Sequence, residues 1–446
     1  MKKVLAFILL LAICLTLVSC NGELDFIFEG YNYQEHSIAL AAKKMELNYN
    51  DYKQEGYPEF IDKLDRFASR MTYEICADND NGENIAISPI SVYMALALAT
   101  ECAEGETRQQ ILDAVGVTYA EVVGFTKYLY AYANKEYYTR NYGEQAQLSA
   151  FEELANSIWV HKEVSLKKSG VSNLANNLHA DLYKVNFETD EGERAIGAYI
   201  KDKTHGLIDS DIDLPPETLI TLINTFYLKE IWNPFGDNLS FTDKTYDFVG
   251  GDGRITETKL LRGYYNNGKV YEAEGYTSFF TTTEHGFKIK FIVPKDGYSL
   301  SDVFTAENIY TTTVLSDYNY VDSENKLRHH TRVLFPEYKA DYDDDIGDVL
   351  REKFGITRMF NVELCDFSNI TEETIFCDGV FHKCRLTVNK KGIEGAAVTY
   401  IPGAGATGPD EYTDVYHDYV VDRAFGYIIT DYYGNVLFSG VINSID

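Results

Sequence analysis

Lys390 to Thr413 reads KKGIEGAAVTYIPGAGATGPDEYT, and this stretch decides the fold. It opens as a strand and decays into a loop of small residues broken by Gly and Pro. A sequence able to join a sheet thus runs directly into one open to proteolysis. Taking Ile393 as the first inward residue, strand periodicity puts Ile393, Gly395, Ala397, Thr399, Ile401 and Gly403 on one face. All are apolar, small or hydroxylic. The opposite face carries Glu394, Ala396, Val398, Tyr400, Pro402 and Ala404, and the single charge falls there. A segment with this alternation can be buried on one face without enclosing an unpaired charge, which would cost several kcal/mol.

Outward from that stretch the chain changes character. Pro58 opens a helical pattern with Phe60, Ile61, Leu64, Phe67, Ala68, Met71 and Ile75 at three- and four-residue intervals. Ser88-Pro89 starts a second helix, SPISVYMALALATECA, apolar on most sides, and a third runs from Arg194 to about Lys203. Later segments are β-rich: LITLINTFYL, GFKIKFIVP, HTRVLFPEY, CRLTVN and GYIITDYYGNVLFSGVI, with turn signals at NNG near Gly268 and at Tyr433–Asn435. Helices early and strands late make an α+β fold, without the regular alternation of a doubly wound sheet. No linker or repeat interrupts residues 57–446, and the 45% hydrophobic content is spread throughout, so a single large domain over 58–446 is expected.

The first residues, MKKVLAFILLLAICLTLVSCNG, read as a secretory signal: two lysines, a short apolar run, then Leu-Val-Ser-Cys. The ending is similar to the bacterial lipoprotein processing box. Residues 1–19 are then a signal peptide, and Cys20 heads a lipidated tether or extension over 20–57; the alternative is an ordinary signal peptide with a chance cysteine. Lasting attachment would need more than one acyl chain on Cys20. The expected location is outside the cytoplasm, as a bacterial cell-envelope lipoprotein or a secreted protein, with the lipid as the only membrane contact. A formal charge of -29 argues against nucleic acid as a partner. Cys76, Cys102, Cys365, Cys377 and Cys384 are expected as buried free thiols, with Cys377–Cys384 a candidate small loop.

The segments resemble, in order, those of the serpins. Asn84 to Ser91 with Ala95-Leu96-Ala97 and Gly105-x-Thr107 is similar to the family's strand-to-helix entry. Ile196–Ile208 resembles its Thr-x-Gly-x-Ile segment, and Asn224-Thr225-Phe226-Tyr227-Leu228-Lys229-x-x-Trp232-x-x-Phe235 its most recognisable signature. Phe335-Pro336-x-Tyr338, Asp366-Phe367-Ser368, Phe381-His382-Lys383 running into KKGIEGAA, Asp422-Arg423-Ala424-Phe425 and Leu437-Phe438-x-Gly440 follow. The resemblance covers roughly residues 58–446. It implies helices packed around three β-sheets with an exposed reactive loop at about 392–415. It also implies a suicide-type inhibitor: a serine protease, or a cysteine protease, cuts the loop and is trapped as an acyl-enzyme while the freed loop inserts into the main sheet. Such a protein is not an enzyme, needs no cofactor or metal, and is expected as a monomer whose partner is the covalently trapped protease.

Carried over residue by residue, the resemblance makes Gly392, Ile393, Glu394, Gly395, Ala396, Ala397 and Thr399 the hinge and inserting part. Family spacing from Gly392 puts the reactive bond at Ala406-Thr407, about 50 Å of extended chain away at roughly 3.3 Å per residue. From Thr407 to Phe425 the chain is several residues longer than the family usually has; if some of that length lies upstream, the bond moves. Ala406 suits an elastase-like or subtilisin-like protease, and no Lys or Arg lies between Lys391 and Arg423 to attract a trypsin-like one. Ser88, Ser91, Asn224 and His382 match polar positions where the family's central sheet opens, and Trp232 the aromatic where the hinge enters. Taken singly, each also fits a satisfied buried polar group or a core tryptophan.

Three departures favour a rival, a non-inhibitory serpin acting as a tethered surface binding protein. Pro402 lacks an N–H for a central strand, Lys390 replaces a glutamate, and Ile393 replaces a small hydroxyl residue. A surface adhesin, suggested by lipidation and 35 tyrosines, leaves the loop alternation without a reason. Enzyme signatures such as G-x-S-x-G or HExxH are missing. His329-His330 is expected to be exposed, and DYDDDIGD at Asp341–Asp348 and ADNDNGEN at Ala77–Asn84 to be solvated acidic turns rather than calcium loops.

Overall fold

The computed structural model describes residues 31–39, 54–77, 79, 82–139, 147–209, 212, 214–232, 239–264, 270–315, 321–322, 326–393 and 413–445. The chain divides into two units, Met1–Tyr31 and Asn32–Asp446, and every described helix and strand lies in the second.

The strands in chain order are β1 Ser37–Ala39, β2 Ile85–Ile87, β3 Glu136–Thr139, β4 Gln147–His161, β5 Ala180–Val185, β6 Ile220–Ile231, β7 Tyr246–Val249, β8 Ile255–Thr258, β9 Leu261–Arg262 and β10 Tyr271–Glu272. They continue with β11 Tyr276–Thr282, β12 Lys288–Pro294, β13 Val321–Asp322, β14 Leu327–Phe335, β15 Tyr338–Asp345, β16 Phe381–Asn389, β17 Gly392–Ile393, β18 Thr413–Val420, β19 Phe425–Thr430 and β20 Val436–Ile442. Among the described residues they form three sheets. The largest has 14 strands in the order β1-β5-β4-β6-β17-β16-β15-β2-β20-β19-β12-β11-β10, with β3 added on β4. A four-stranded sheet holds β13-β14-β18 with β9, and β7-β8 is a separate hairpin. The α+β class and the three sheets are as the sequence led us to expect.

The helices α1 Tyr57–Ala77 and α2 Pro89–Cys102 pack behind this sheet. Every residue of α2 is buried, which is why its sequence carries no polar stripe; Pro89 begins it, where a missing N–H costs nothing. Thr72 of α1 and Ser439 of β20 share a hydrogen bond of 2.6 Å between their hydroxyls, joining helix to sheet. β19 and β20 are buried at every position, covered on both faces, and their turn uses Gly434 at φ +96°. Helix α3 Gly105–Val115 stops at left-handed Gly116, and α4 Tyr119–Tyr132 starts with a Thr118/Glu121 capping box. Two more helices, α5 Lys168–Asn177 and α6 Glu191–Lys203, flank β5 in sequence.

Residues 33–39 dock on the body. β1 pairs antiparallel with β5, and Tyr33 packs edge-on against Tyr183 and Tyr199, beside the stacked Trp159–Tyr183 pair. Its hydroxyl donates to Asp202 of α6 at 2.6 Å.

Two local expectations do not hold. Asp341–Asp345 is the end of β15 rather than an acidic turn: it ladders onto β16, with Asp343 opposite Lys383 and their charges 3.0 Å apart. Backbone pairing with a basic neighbour overrides the local composition. His329 and His330 lie half-buried on β14 instead of exposed, because β18 covers them. The five cysteines from Cys76 onward are free thiols, so Cys377–Cys384 closes no loop; Cys365 alone is half-exposed.

Candidate functional site

β16 turns back on itself at Lys390–Lys391 to give β17. The Lys391 N–H bonds the Asn389 side chain at 2.8 Å, the Lys390 N–H bonds Glu337 at 2.8 Å, and the Lys390 carbonyl accepts from the Leu239 N–H at 2.8 Å. The two residues of β17 then pair on both sides. Gly392 and Ile393 oppose Asn389 and Val388 of β16, and equally Ile231 and Glu230 of β6. β17 is antiparallel to both, so β6 and β16 run parallel to each other with β17 between them. Among the described residues β6 and β16 have no ladder of their own; β17 alone joins them.

The fit at the entry is close. A Cβ on Gly392 would lie 2.0 Å from the Glu230 carbonyl oxygen, an approach no side chain tolerates. Ile393 is 0% exposed. Trp232 closes the end: its Nε1–H donates to the Asn389 carbonyl at 2.7 Å, and its ring lies 5.5 Å from Phe335. This bond ties the end of β6 to the end of β16 beside β17.

Six residues further along each neighbour strand stand Asn224 on β6 and His382 on β16, level with each other because the strands are parallel. His382 is fully buried, and its Nε2 accepts the Ser88 backbone N–H at 3.1 Å, so the ring is the neutral tautomer with its proton on Nδ1. Burial alone holds this imidazole down at about 4. The Ser88 hydroxyl is buried without a partner, and Ser91 is buried one turn on in α2. The Asn224 amide donates to the Ala155 carbonyl at 3.2 Å and to the Asn156 side chain, while its own Oδ1 has no partner. Asn156 donates onward to Leu178 at 2.9 Å. Ser88 and His382 are therefore brought into contact, Asn224 lies level with His382 on β6 and bonds toward β4, and Trp232 stands apart beside β17. Glu394, Gly395, Ala396, Ala397, Thr399, Ala406, Thr407 and Cys20 lie outside the described residues.

Sequence reasoning missed the acid beside β17. Glu230, whose backbone pairs with β17, has a side chain 0% exposed. Both its oxygens lie within 3.1 Å of His285 Nδ1. Burial pushes its carboxyl up and His285 opposes the shift. Glu152 of β4, also buried and pushed well up, accepts from the Tyr137 hydroxyl at 2.7 Å, and Asp431 is raised to about 6. Only the near-continuous burial of β6 hints at Glu230, since it falls among buried neighbours.

His382 gives a pH dependence of known sign. Unfolded, the ring takes up a proton as pH falls through its ordinary value of 6.5; folded, it does so only near 4. The stabilisation is complete above pH 6.5 and is lost between there and pH 4, on the order of 3 kcal/mol. His382→Gln removes this titration, so the wild-type-minus-variant difference in unfolding free energy should shrink by about that amount between pH 7 and pH 4. The raised acids Asp431 and Asp65 titrate in the opposite sense and cancel in the difference. Urea unfolding at several pH values checks it; a difference constant with pH contradicts the assignment.

Comparison with known proteins agrees with this geometry. A family model described as Serpin (serine protease inhibitor) matches residues 62–445. Iripin-1 of Ixodes ricinus is 27% identical over 373 residues, covering 81% of this chain and 89% of the relative. Serpin-Z4 of Arabidopsis thaliana is 26% identical over 341 residues, covering 72% and 82%. Among solved structures, the thermophilic serpin tengpin in its native state superposes with a TM-score of 0.68 at 20% identity, covering 93% of this chain and 98% of that one. Serpin48 of the insect Tenebrio molitor gives 0.70 at 20% identity, covering 88% and 100%. With the fold and the family match in agreement, this chain belongs to the serpins, a family of protease inhibitors.

Proposed function

We propose that this serpin is a suicide-type inhibitor whose cleaved loop enters the large sheet between β6 and β16. The observation that carries the reading is β17: two loop-proximal residues already paired with both strands, in the orientation a continuing strand would keep. A protease nucleophile attacks the carbonyl carbon of Ala406, the Ala406-Thr407 bond breaks, and Thr407 leaves as a free amine. The acyl-enzyme is then carried away as the loop inserts. Inward burial of Ile401 would contribute roughly 1.5–3 kcal/mol, with small residues between it and Ile393 filling the lane. The small residues before the bond favour an elastase-like or subtilisin-like serine protease; a cysteine protease forms the equivalent thioester.

The rival is a non-inhibitory serpin that acts as a tethered binding protein and is merely cut. Pro402 favours it, since proline forfeits a ladder bond in a central strand. The two readings differ in the fate of the protease. Mixing the Gly22–Asp446 body with pancreatic elastase and with subtilisin should give a band at the summed mass that survives denaturant. Thr399→Arg places a charge on the inward face and should convert inhibition to simple cleavage. Cleavage without complex by both proteases favours the rival, and undiminished inhibition by Thr399→Arg contradicts the assigned alternation.

The setting we propose is extracytoplasmic, with residues 1–19 removed and the protein held at a bacterial envelope through lipid on Cys20. Mass spectrometry of the native N-terminus should find a diacylated or triacylated Cys20 as the first residue. An N-terminus beyond Cys20 would rule out the anchor.

A further inference from the structure

Three of the protein's nine histidines meet on one seam, between β14 and β18. β18 is the strand on the C-terminal side of the reactive loop, and it runs parallel to β14 from Leu327↔Thr413 to Leu334↔Val420. One face of the seam is closed by polar pairs: the His330 ring and Asp414 at 2.7 Å, and Arg332 with Asp418 through two bonds of 2.9 and 2.7 Å. The other face is different. His329 pairs in register with Val415, and Thr331 with His417, so the two histidines are diagonal neighbours on the same side. His329 Nδ1 lies 2.9 Å from His417 Nε2, with the ring planes 14° apart and the centroids separated by 5.2 Å. At that centroid distance the rings meet edge to edge, and the two nitrogens point at one another.

We propose that this nitrogen pair binds a divalent transition-metal ion of the zinc, nickel or copper class, clipping β18 to β14. Neutral imidazole is the commonest protein ligand for these ions. Metal–nitrogen bonds of about 2.0–2.1 Å at a tetrahedral angle need nitrogens about 3.4 Å apart. The pair must therefore open by roughly half an ångström, which two half-buried side chains on neighbouring strands supply by rotation. The hydrogen now shared between the rings moves through solvent to the outer nitrogen of its own ring, so the neutral pair takes the ion without net loss of a proton. Water completes the coordination, since the described residues contain no group of three or more His, Cys, Asp or Glu placed to hold a metal. Two nitrogen ligands with no carboxylate select against calcium and magnesium, which require oxygen. The clip joins residues 88 positions apart and holds the strand after the loop without touching β17. It is independent of whether the loop inhibits a protease.

The test uses the full chain, stripped with chelator and titrated at pH 7.5 with zinc sulfate, nickel sulfate or magnesium chloride. Zinc and nickel should bind one to one, raise the unfolding midpoint by about 2–4 °C and slow amide exchange in residues 413–420, all reversed by EDTA. Magnesium should do nothing. His329→Asn and His417→Ala should each abolish binding, while His330→Ala, on the opposite face, keeps it. The wild-type exchange measurement stands even if a variant loosens the seam. No binding of either metal, binding that leaves exchange in 413–420 unchanged, or binding retained by both His329→Asn and His417→Ala would overturn the proposal.

Discussion

The ladder that Gly392 and Ile393 make with two strands at once sets the terms for the rest of the molecule. A strand between parallel neighbours runs either parallel or antiparallel to both, and β17 is antiparallel to both. The approach is so close that the Glu230 carbonyl occupies the place a side chain on residue 392 would need. The surrounding bonds hold that entry in place: Glu337 and Leu239 fix the Lys390 turn, and Trp232 ties the ends of β6 and β16 together. Together they fix the register of Gly392 and Ile393, which a one-residue slip would turn to the opposite face.

The strands flanking that entry are not stitched by apolar contacts alone. Ser88 Oγ, Asn224 Oδ1 and Thr225 Oγ1 are buried without partners, and each such atom costs about 1–3 kcal/mol relative to a satisfied one. His382 accepts a single backbone bond and is kept neutral by its surroundings. Glu230, at the mouth, keeps a carboxyl in the core through His285. Polar groups of this kind can re-pair when strands part, whereas an apolar seam would only lose packing. The strands flanking β17 thus give up stability at these polar positions, while β20, buried throughout, has only apolar side chains, glycine and the hydrogen-bonded Ser439.

Much of this was legible in the chain. The helices at Tyr57–Ala77 and Pro89–Cys102 follow from periodicity and from Pro at the first turn, and the late strands follow from β-rich runs. What escaped reading is physically consistent. β4, the longest strand, was invisible because Glu152, Glu153 and Asn156 break its apolar pattern; Glu152 and Asn156 are buried through partners on β3 and at α5's C-terminal end. Asp341–Asp345 looked like a turn because its stabilising charges, Lys383 and Arg385, sit on β16. The pairs Glu230–His285 and His329–His417 join residues 55 and 88 apart, a proximity that only the tertiary fold creates. Ser88, His382 and Trp232 were named from a family resemblance; their hydrogen bonds could not have been.

The most direct test of loop entry is the unfolding midpoint of the protein before and after a single cut in the reactive loop. Entry of the freed segment between β6 and β16 adds two new ladders and buries its inward face, so a rise of about 10 °C or more is expected. The C-terminal fragment should stay associated through β18, β19 and β20. A midpoint unchanged by complete cleavage would mean that the lane beyond Ile393 does not take up the loop, and insertion as the working principle of this protein would fail.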